Sequence, residues 1–204
     1  MSSAPAPRRF VVTRAPGPAW DAGKPTRQQS GWDAHAAFMD GLADERFVAF
    51  GGPAGGDNRV VLIVDSEDEP AIHERLGQDP WTASGQLRTV SIEGWTNWLG
   101  GDERIRTDQP GSLYLVAYAP GPHWDEAKPR RQQAGWDAHA AFMDALDERH
   151  VVSLGGPLDE RRALLVVRAA DQADAMAQLS PDPWLNGTLI IESVEPWTLW
   201  LTPR

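Results

Sequence analysis

The chain has 204 residues, 41% hydrophobic and 24% charged, ordinary values for a soluble globular protein that buries a core. Its formal net charge of −10 argues against nucleic acid or an anionic membrane as a partner, because both need a basic patch, but leaves room for a small anionic ligand in a local pocket. The sequence has no cysteine, which excludes disulfides, thiolate metal sites and a cysteine nucleophile and fits a cytosolic protein.

Residues 1–8 read as a disordered, Ser/Ala/Pro-rich tail with no apolar run for a signal peptide behind it. No stretch anywhere approaches the ~18 apolar residues of a membrane span, so a cytoplasmic protein is expected. Arg9–Arg14 is a short β-branched run, the first predicted strand. A loop rich in Pro and Gly follows, carrying Trp20, Lys24 and Arg27. Gly31–Ala43 has helical spacing, with Trp32, His35, Met39 and Leu42 on one stripe. Arg46–Gly51 and Val60–Asp65 are two predicted strands joined by the turn Gly52-Pro53-Ala54-Gly55-Gly56-Asp57. A second helix starts near Asp68, an acceptable N-cap, and stops before Asp79-Pro80-Trp81, since the residue before proline avoids the helical region. A last strand covers Gln86–Leu99, and the polar segment 100–111 reads as a linker.

The same order then returns: Leu113–Tyr118, a helix over Gly135–Leu146, strands at Val151–Leu154 and Ala163–Arg168, a helix from Asp171, and a strand over Thr188–Leu201. The segment Pro16–Asp40 recurs as Pro120–Asp144, with roughly four in five positions identical, and all 10 tryptophans fall into matched pairs. Two β-α-β-β-α-β units imply an α+β protein: two ferredoxin-like units, at 9–99 and 112–204, each with both helices on one face of a four-stranded antiparallel sheet. The other sheet face is also apolar, so the units are expected to pack sheet to sheet as an intramolecular pseudo-dimeric α/β barrel. Such a chain works as a monomer, although a higher oligomer remains compatible with it.

Of the five histidines only His35 and His139 occupy matched positions. Each lies on the buried stripe of its helix, as either a satisfied core histidine or a site residue titrating near neutrality. Asp79 and Asp182 open the Asp-Pro-Trp motifs and serve either as turn starters or as carboxylates that orient the imidazoles. Arg27 and Arg131 precede a helix start by one turn, as a solvated basic loop or an anion site. Trp20 and Trp124 on the same loops lid a pocket or cover core. Gly52-Pro53 and Gly156-Pro157 allow close backbone approach. One His and one Asp per copy are too few ligands for a metal site, and no cofactor motif is present.

The ordered run Gly-Pro-x-Trp, Gln, His-x-x-Phe-Met-x-x-Leu, Gly-Gly-Pro, Asp-Pro-Trp and a closing Pro-Trp resembles the YciI-like (YCII-related) family over nearly all of each copy. The resemblance implies ferredoxin-like units that pair into an α/β barrel and a His–Asp pair in a cleft between sheet and helices, here His35 with Asp79 and His139 with Asp182. One branch of that family is a dehydrochlorinase of chlorinated hydroxyhydroquinones, and the wider superfamily contains muconolactone isomerase-type enzymes. The tandem arrangement departs from the family pattern, and so does Gly94 where the second copy has Pro196. The expectation is a cofactor-independent lyase or isomerase acting on a small, cyclic anionic molecule. The histidines would be acid/base groups, and Arg27, Arg131, Trp20, Trp124, Gly52, Pro53, Gly156 and Pro157 would line the binding surface. The rival expectation is a non-catalytic binding or accessory module built on the same pocket, and a third is a structural interaction domain with no pocket around either histidine.

Overall fold

The computed structural model describes residues 8–56 and 58–203. Of the expected disordered tail only Arg8 is described, and it opens a strand; the rest lies outside the described residues. The first sheet is built from β1 (Arg8–Pro16), β2 (Val48–Pro53), β3 (Val60–Ser66) and β4 (Leu87–Gly94), antiparallel in the order β2-β3-β1-β4. It carries α1 (Trp32–Asp44), α2 (Glu69–Gly77) and the single turn α3 (Pro80–Ala83). The second sheet takes a two-residue edge strand β5 (Leu99–Gly100) and then β6 (Ser112–Pro120), β7 (Val152–Pro157), β8 (Ala163–Ala169) and β9 (Leu189–Trp197) in the order β5-β7-β8-β6-β9. Its helices are α4 (Trp136–Glu148) and α5 (Gln172–Leu179). Both sheets have the ferredoxin-like order, as the repeated element pattern predicts.

Local chemistry accounts for the helix starts. The side chains of Asp68 and Asp171 accept from the backbone N–H of Ala71 (2.9 Å) and Asp174 (2.8 Å), each satisfying a free donor of the first turn. Gly31 and Gly135 enter α1 and α4 at φ 73° and 74°, a left-handed bend that glycine adopts without strain. Alternation along β1 turns Phe10 and Val12 onto α1 and α2, where they meet Met39, Leu42, Leu62, Val64, Ile72 and Leu76. Each such side chain stabilises the unit by about 1.5–3 kcal/mol on burial. Arg14 is next on that inward face.

The predicted last strands run too far. They stop at Gly94 and Trp197, because the backbone beyond finds other edges to pair with. Thr96 and Trp98 donate to the carbonyls of Pro157 (3.0 Å) and Gly155 (2.8 Å), whereas Thr198 and Trp200 donate to Pro53 (3.0 Å) and Gly51 (2.9 Å). One compact unit therefore runs to Gly94 and adds the residues from Thr198, and the other is Trp95–Trp197. The segment read as a linker is partly ordered within the second unit: Gly100 N–H and Arg104 both donate to the Asp147 carboxylate, at 2.7 and 2.6 Å.

Close approach of the tails explains Gly52 and Gly156. A Cβ at Gly52 would overlap the Thr198 carbonyl, and one at Gly156 the Thr96 carbonyl, in both cases backbone that cannot rotate away. Gly52→Ala is expected to lower stability by about 1–3 kcal/mol through overpacking and to speed amide exchange over residues 198–201. Wild-type melting and exchange in that variant would contradict the account.

Candidate functional site

A cavity lies beside the long helix of each unit, of about 520 Å³ in the first and 580 Å³ in the second. Both lie within the roughly 300–1,000 Å³ of small-molecule and cofactor sites. His35 and His139 sit on the inner stripe of α1 and α4 and line the cavities.

Behind each histidine stands the aspartate of the Asp-Pro-Trp motif. His35 Nδ1 lies 2.7 Å from Asp79 Oδ1, and His139 Nδ1 lies 2.8 Å from Asp182 Oδ1. The two readings of these aspartates hold together, because each is also the N-cap of the turn it opens and accepts from Trp81 N–H (3.0 Å) or Trp184 N–H (2.9 Å). That turn delivers an indole onto the imidazole: Trp81 and Trp184 stack on His35 and His139 with centroids 4.0 Å apart and planes within 6° and 5°. Each indole N–H is tied to a backbone carbonyl, Ser30 or Ala134, which fixes the ring. The imidazoles are thus held on one edge and one face, leaving Nε2 without a hydrogen-bond partner among the described residues.

Sequence reasoning passed over Arg14. Its side chain is 1% exposed and donates from Nη1 to Asp79 Oδ2 (2.7 Å) and from Nη2 to Thr82 Oγ1 (2.6 Å). Burial alone would raise the Asp79 carboxyl, but the hydrogen bond from His35 and the charges of Arg14 and His35, with the Trp81 N–H, hold it below its usual range. An ionised carboxylate only accepts, so Nδ1 of His35 is the donor, and in the neutral imidazole Nε2 carries the lone pair. The matched position in the second unit is Tyr118, at the same register slip in β6 as Arg14 in β1. There the Tyr118 hydroxyl and Asp182 Oδ2 are both buried without a partner among the described residues. Burial, with the nearby Asp182 charge, pushes the Tyr118 phenol far up, so it stays a hydrogen-bond donor.

The loop residues sort unevenly. Arg27 packs over Trp32 (5.8 Å) and Trp200 (5.4 Å), and Arg131 over Trp136 (5.8 Å) and Trp98 (5.4 Å). Neither makes an ion pair among the described residues, whereas Lys24 and Lys128 pair with Asp21 and Asp125. The basic loops are stapled by Gln29 and Gln133, whose side-chain amides donate to two loop carbonyls each. Trp20 lines the first cavity edge-on to Trp81, but Trp124 is core and does not reach the second. Gly52, Pro53, Gly156 and Pro157 all line their cavities. Trp200 and Trp98, which complete the walls, come from the tails and could not be placed without knowing where those tails pair. Among the described residues no cluster of three or more potential metal ligands exists, and no helix is long and apolar enough to cross a membrane.

No protein-family model and no curated protein matches the chain. Solved structures do. A heme-binding protein from Thermus thermophilus is 13% identical with a TM-score of 0.56, over 95% of this chain and 91% of that one. A protein named as a monooxygenase from Lactobacillus acidophilus (9% identical, TM-score 0.52) and one named as a chlorite dismutase (13%, 0.52) each match over 95% of this chain and 94% of theirs. The likeness is one of fold alone, an α+β chain with two antiparallel sheets of ferredoxin-like order. It also corrects the functional expectation: these three neighbours are named for heme binding, a monooxygenase and a chlorite dismutase, which point away from a cofactor-independent lyase or isomerase.

The Arg14–Asp79 pair separates the two sites energetically. Asp79→Asn strands a buried guanidinium and is expected to cost about 3–5 kcal/mol. Asp182→Asn strands no cation and is expected to cost about 1–3 kcal/mol. Because the folded Asp79 carboxyl sits below its unfolded value of about 3.9, its contribution is complete above that pH and is lost as the pH falls through the folded value. Denaturant unfolding of both variants at neutral and acidic pH checks this. Equal losses at neutral pH, or a gap that persists in acid, would contradict it.

Proposed function

We propose that the protein binds a planar aromatic molecule with an acidic edge in each cavity and serves oxidative chemistry, with haem the group whose needs the donor set meets. One observation carries this reading: in both units a buried carboxylate holds Nδ1 of a histidine whose Nε2 has no partner among the described residues and whose ring lines a cavity of ligand size. A ligating histidine characteristically gives its other N–H to a carboxylate, which fixes the tautomer and strengthens the donor nitrogen. Haem iron asks for a single such protein ligand, so the scarcity of further metal-binding side chains is no obstacle. The names of the fold neighbours support the same chemistry, and the YciI-like resemblance points to the same two histidines.

His35 and His139 would hold the iron through Nε2. Asp79 and Asp182 keep the proton on Nδ1, and Trp81 and Trp184 lock the imidazole planes and shed water from that side. Arg27 and Arg131 would receive the acidic edge, their charge available because no carboxylate pairs with them among the described residues. Trp32 with Trp200, and Trp136 with Trp98, offer flat apolar walls to a planar ring. When bound, haem supplies one-electron and oxygen chemistry that no side chain of this protein provides.

Titration of hemin into the purified protein is expected to give a saturable, red-shifted Soret band. The double variant H35N/H139N is expected to lose it while remaining folded, with a lowered melting temperature, since each substitution also removes a donor to a buried aspartate and a stacked ring. A spectrum indistinguishable from free hemin, or full binding by the double variant, would overturn the reading.

A further inference from the structure

Each cavity is lined by two arginines, but they stand at different ends. In the first, Arg14 is at the histidine end and Arg27 at the tryptophan-walled end. In the second, the position of Arg14 holds Tyr118, and the additional arginine appears at Arg130, where the first repeat has Thr26. Arg14 is spent on Asp79 and Thr82. Arg130 is 5% exposed and anchored from one nitrogen only, Nη2 donating to the carbonyls of Asp159 (2.8 Å) and Arg162 (3.1 Å).

Arg130 and Arg131 flank the same indole, lying 6.0 and 5.4 Å from the Trp98 ring. Two acids act on the Arg130 charge: Asp159, which also holds Arg162 at 2.7 Å, and Glu160, whose Oε2 accepts from the Arg130 backbone N–H at 3.4 Å; neither forms a side-chain ion pair with Arg130 among the described residues. Asp40 and Asp144 line the two cavities at matched positions, so they do not distinguish them. With the imidazoles neutral, the histidine end carries no net charge in the first cavity (Arg14 against Asp79) and one negative charge in the second (Asp182). The opposite end carries one guanidinium in the first cavity and two in the second.

Building on the reading of both cavities as sites for planar acidic ligands, we infer that they select different ligands: the second grips a planar molecule by two acid groups, through Arg130 and Arg131, and the first grips by one, through Arg27. Arg130 and Thr26 are then the residues that set this selectivity. The duplication has given two sites of different specificity.

Metal-free protoporphyrin IX, which carries two carboxylates, and its dimethyl ester test this by fluorescence titration. The wild type is expected to bind the diacid in one tight and one weaker class, and the ester in weak classes only. R130T is expected to weaken the tight class by about tenfold or more without changing ester binding, and T26R to create a second tight class in the first cavity. Because Arg130 also braces the 159–162 turn, T26R gives an answer that does not depend on how R130T folds. Diacid binding that neither variant changes, or an equal loss for the ester in R130T with no gain in T26R, would overturn the inference and leave the hemin result standing. Failure of both porphyrins to bind at all would overturn the planar-acid reading together with it.

Discussion

A carboxylate with no access to water has to be satisfied on every lone pair that matters, and Asp79 is the point where that demand organises the first unit. Its side chain is fully buried and takes three donors: the Trp81 N–H, the His35 ring and the Arg14 guanidinium. The first starts the turn that aims Trp81, the second sets the tautomer of His35, and the third places a compensating charge against the carboxylate. Break the carboxylate and the turn, the stacked ring and the buried arginine all lose their reason to be where they are. In the second unit Asp182 repeats two of the three contacts and leaves Oδ2 alone beside Tyr118. The shared part defines a cavity-facing histidine. The unshared part makes the two sites chemically distinct.

The tails impose a second constraint. Backbone hydrogen bonds from Thr198 and Trp200 to β2, and from Thr96 and Trp98 to β7, carry an indole to the wall of each cavity. They require glycine at 52 and 156, since a side chain there would collide with a carbonyl. Glycines read from the sequence as places of close approach are that, although what approaches them is the chain's own tail. A ligand in either cavity then meets a surface made of α1 or α4, a sheet face and this tail.

Much of this was legible in the amino-acid order because the repeat gives every signal twice. Helical spacing placed His35, Met39 and Leu42 on one face, and the structure buries all three. Asp-Pro-Trp was read as a turn or as a histidine partner, and the N-cap geometry makes it both. Comparing the copies also misled: attention to identical positions hid Arg14, which the second copy replaces by Tyr118, and Thr26, which it replaces by Arg130. The signal for Arg14 was present as a charge at the third inward position of a strand that otherwise turns Phe10 and Val12 to the core. The tails were unreadable for a different reason. The last strands continue their β-prone pattern past Gly94 and Trp197, and only tertiary pairing decides which edge they join. The chemistry was misjudged because a His–Asp pair is equally an acid/base device and a metal-ligand arrangement, and residue spacing does not separate the two.

The account turns on which ring nitrogen of His35 and His139 carries the proton. Long-range proton–nitrogen correlation NMR on nitrogen-15-labelled protein at mildly alkaline pH reads this directly. The account predicts that both imidazoles are neutral Nδ1–H tautomers, with Nε2 unprotonated and facing the cavity. Nε2–H tautomers, with a bare Nδ1 against the aspartate, would contradict it and remove the histidines as ligand donors.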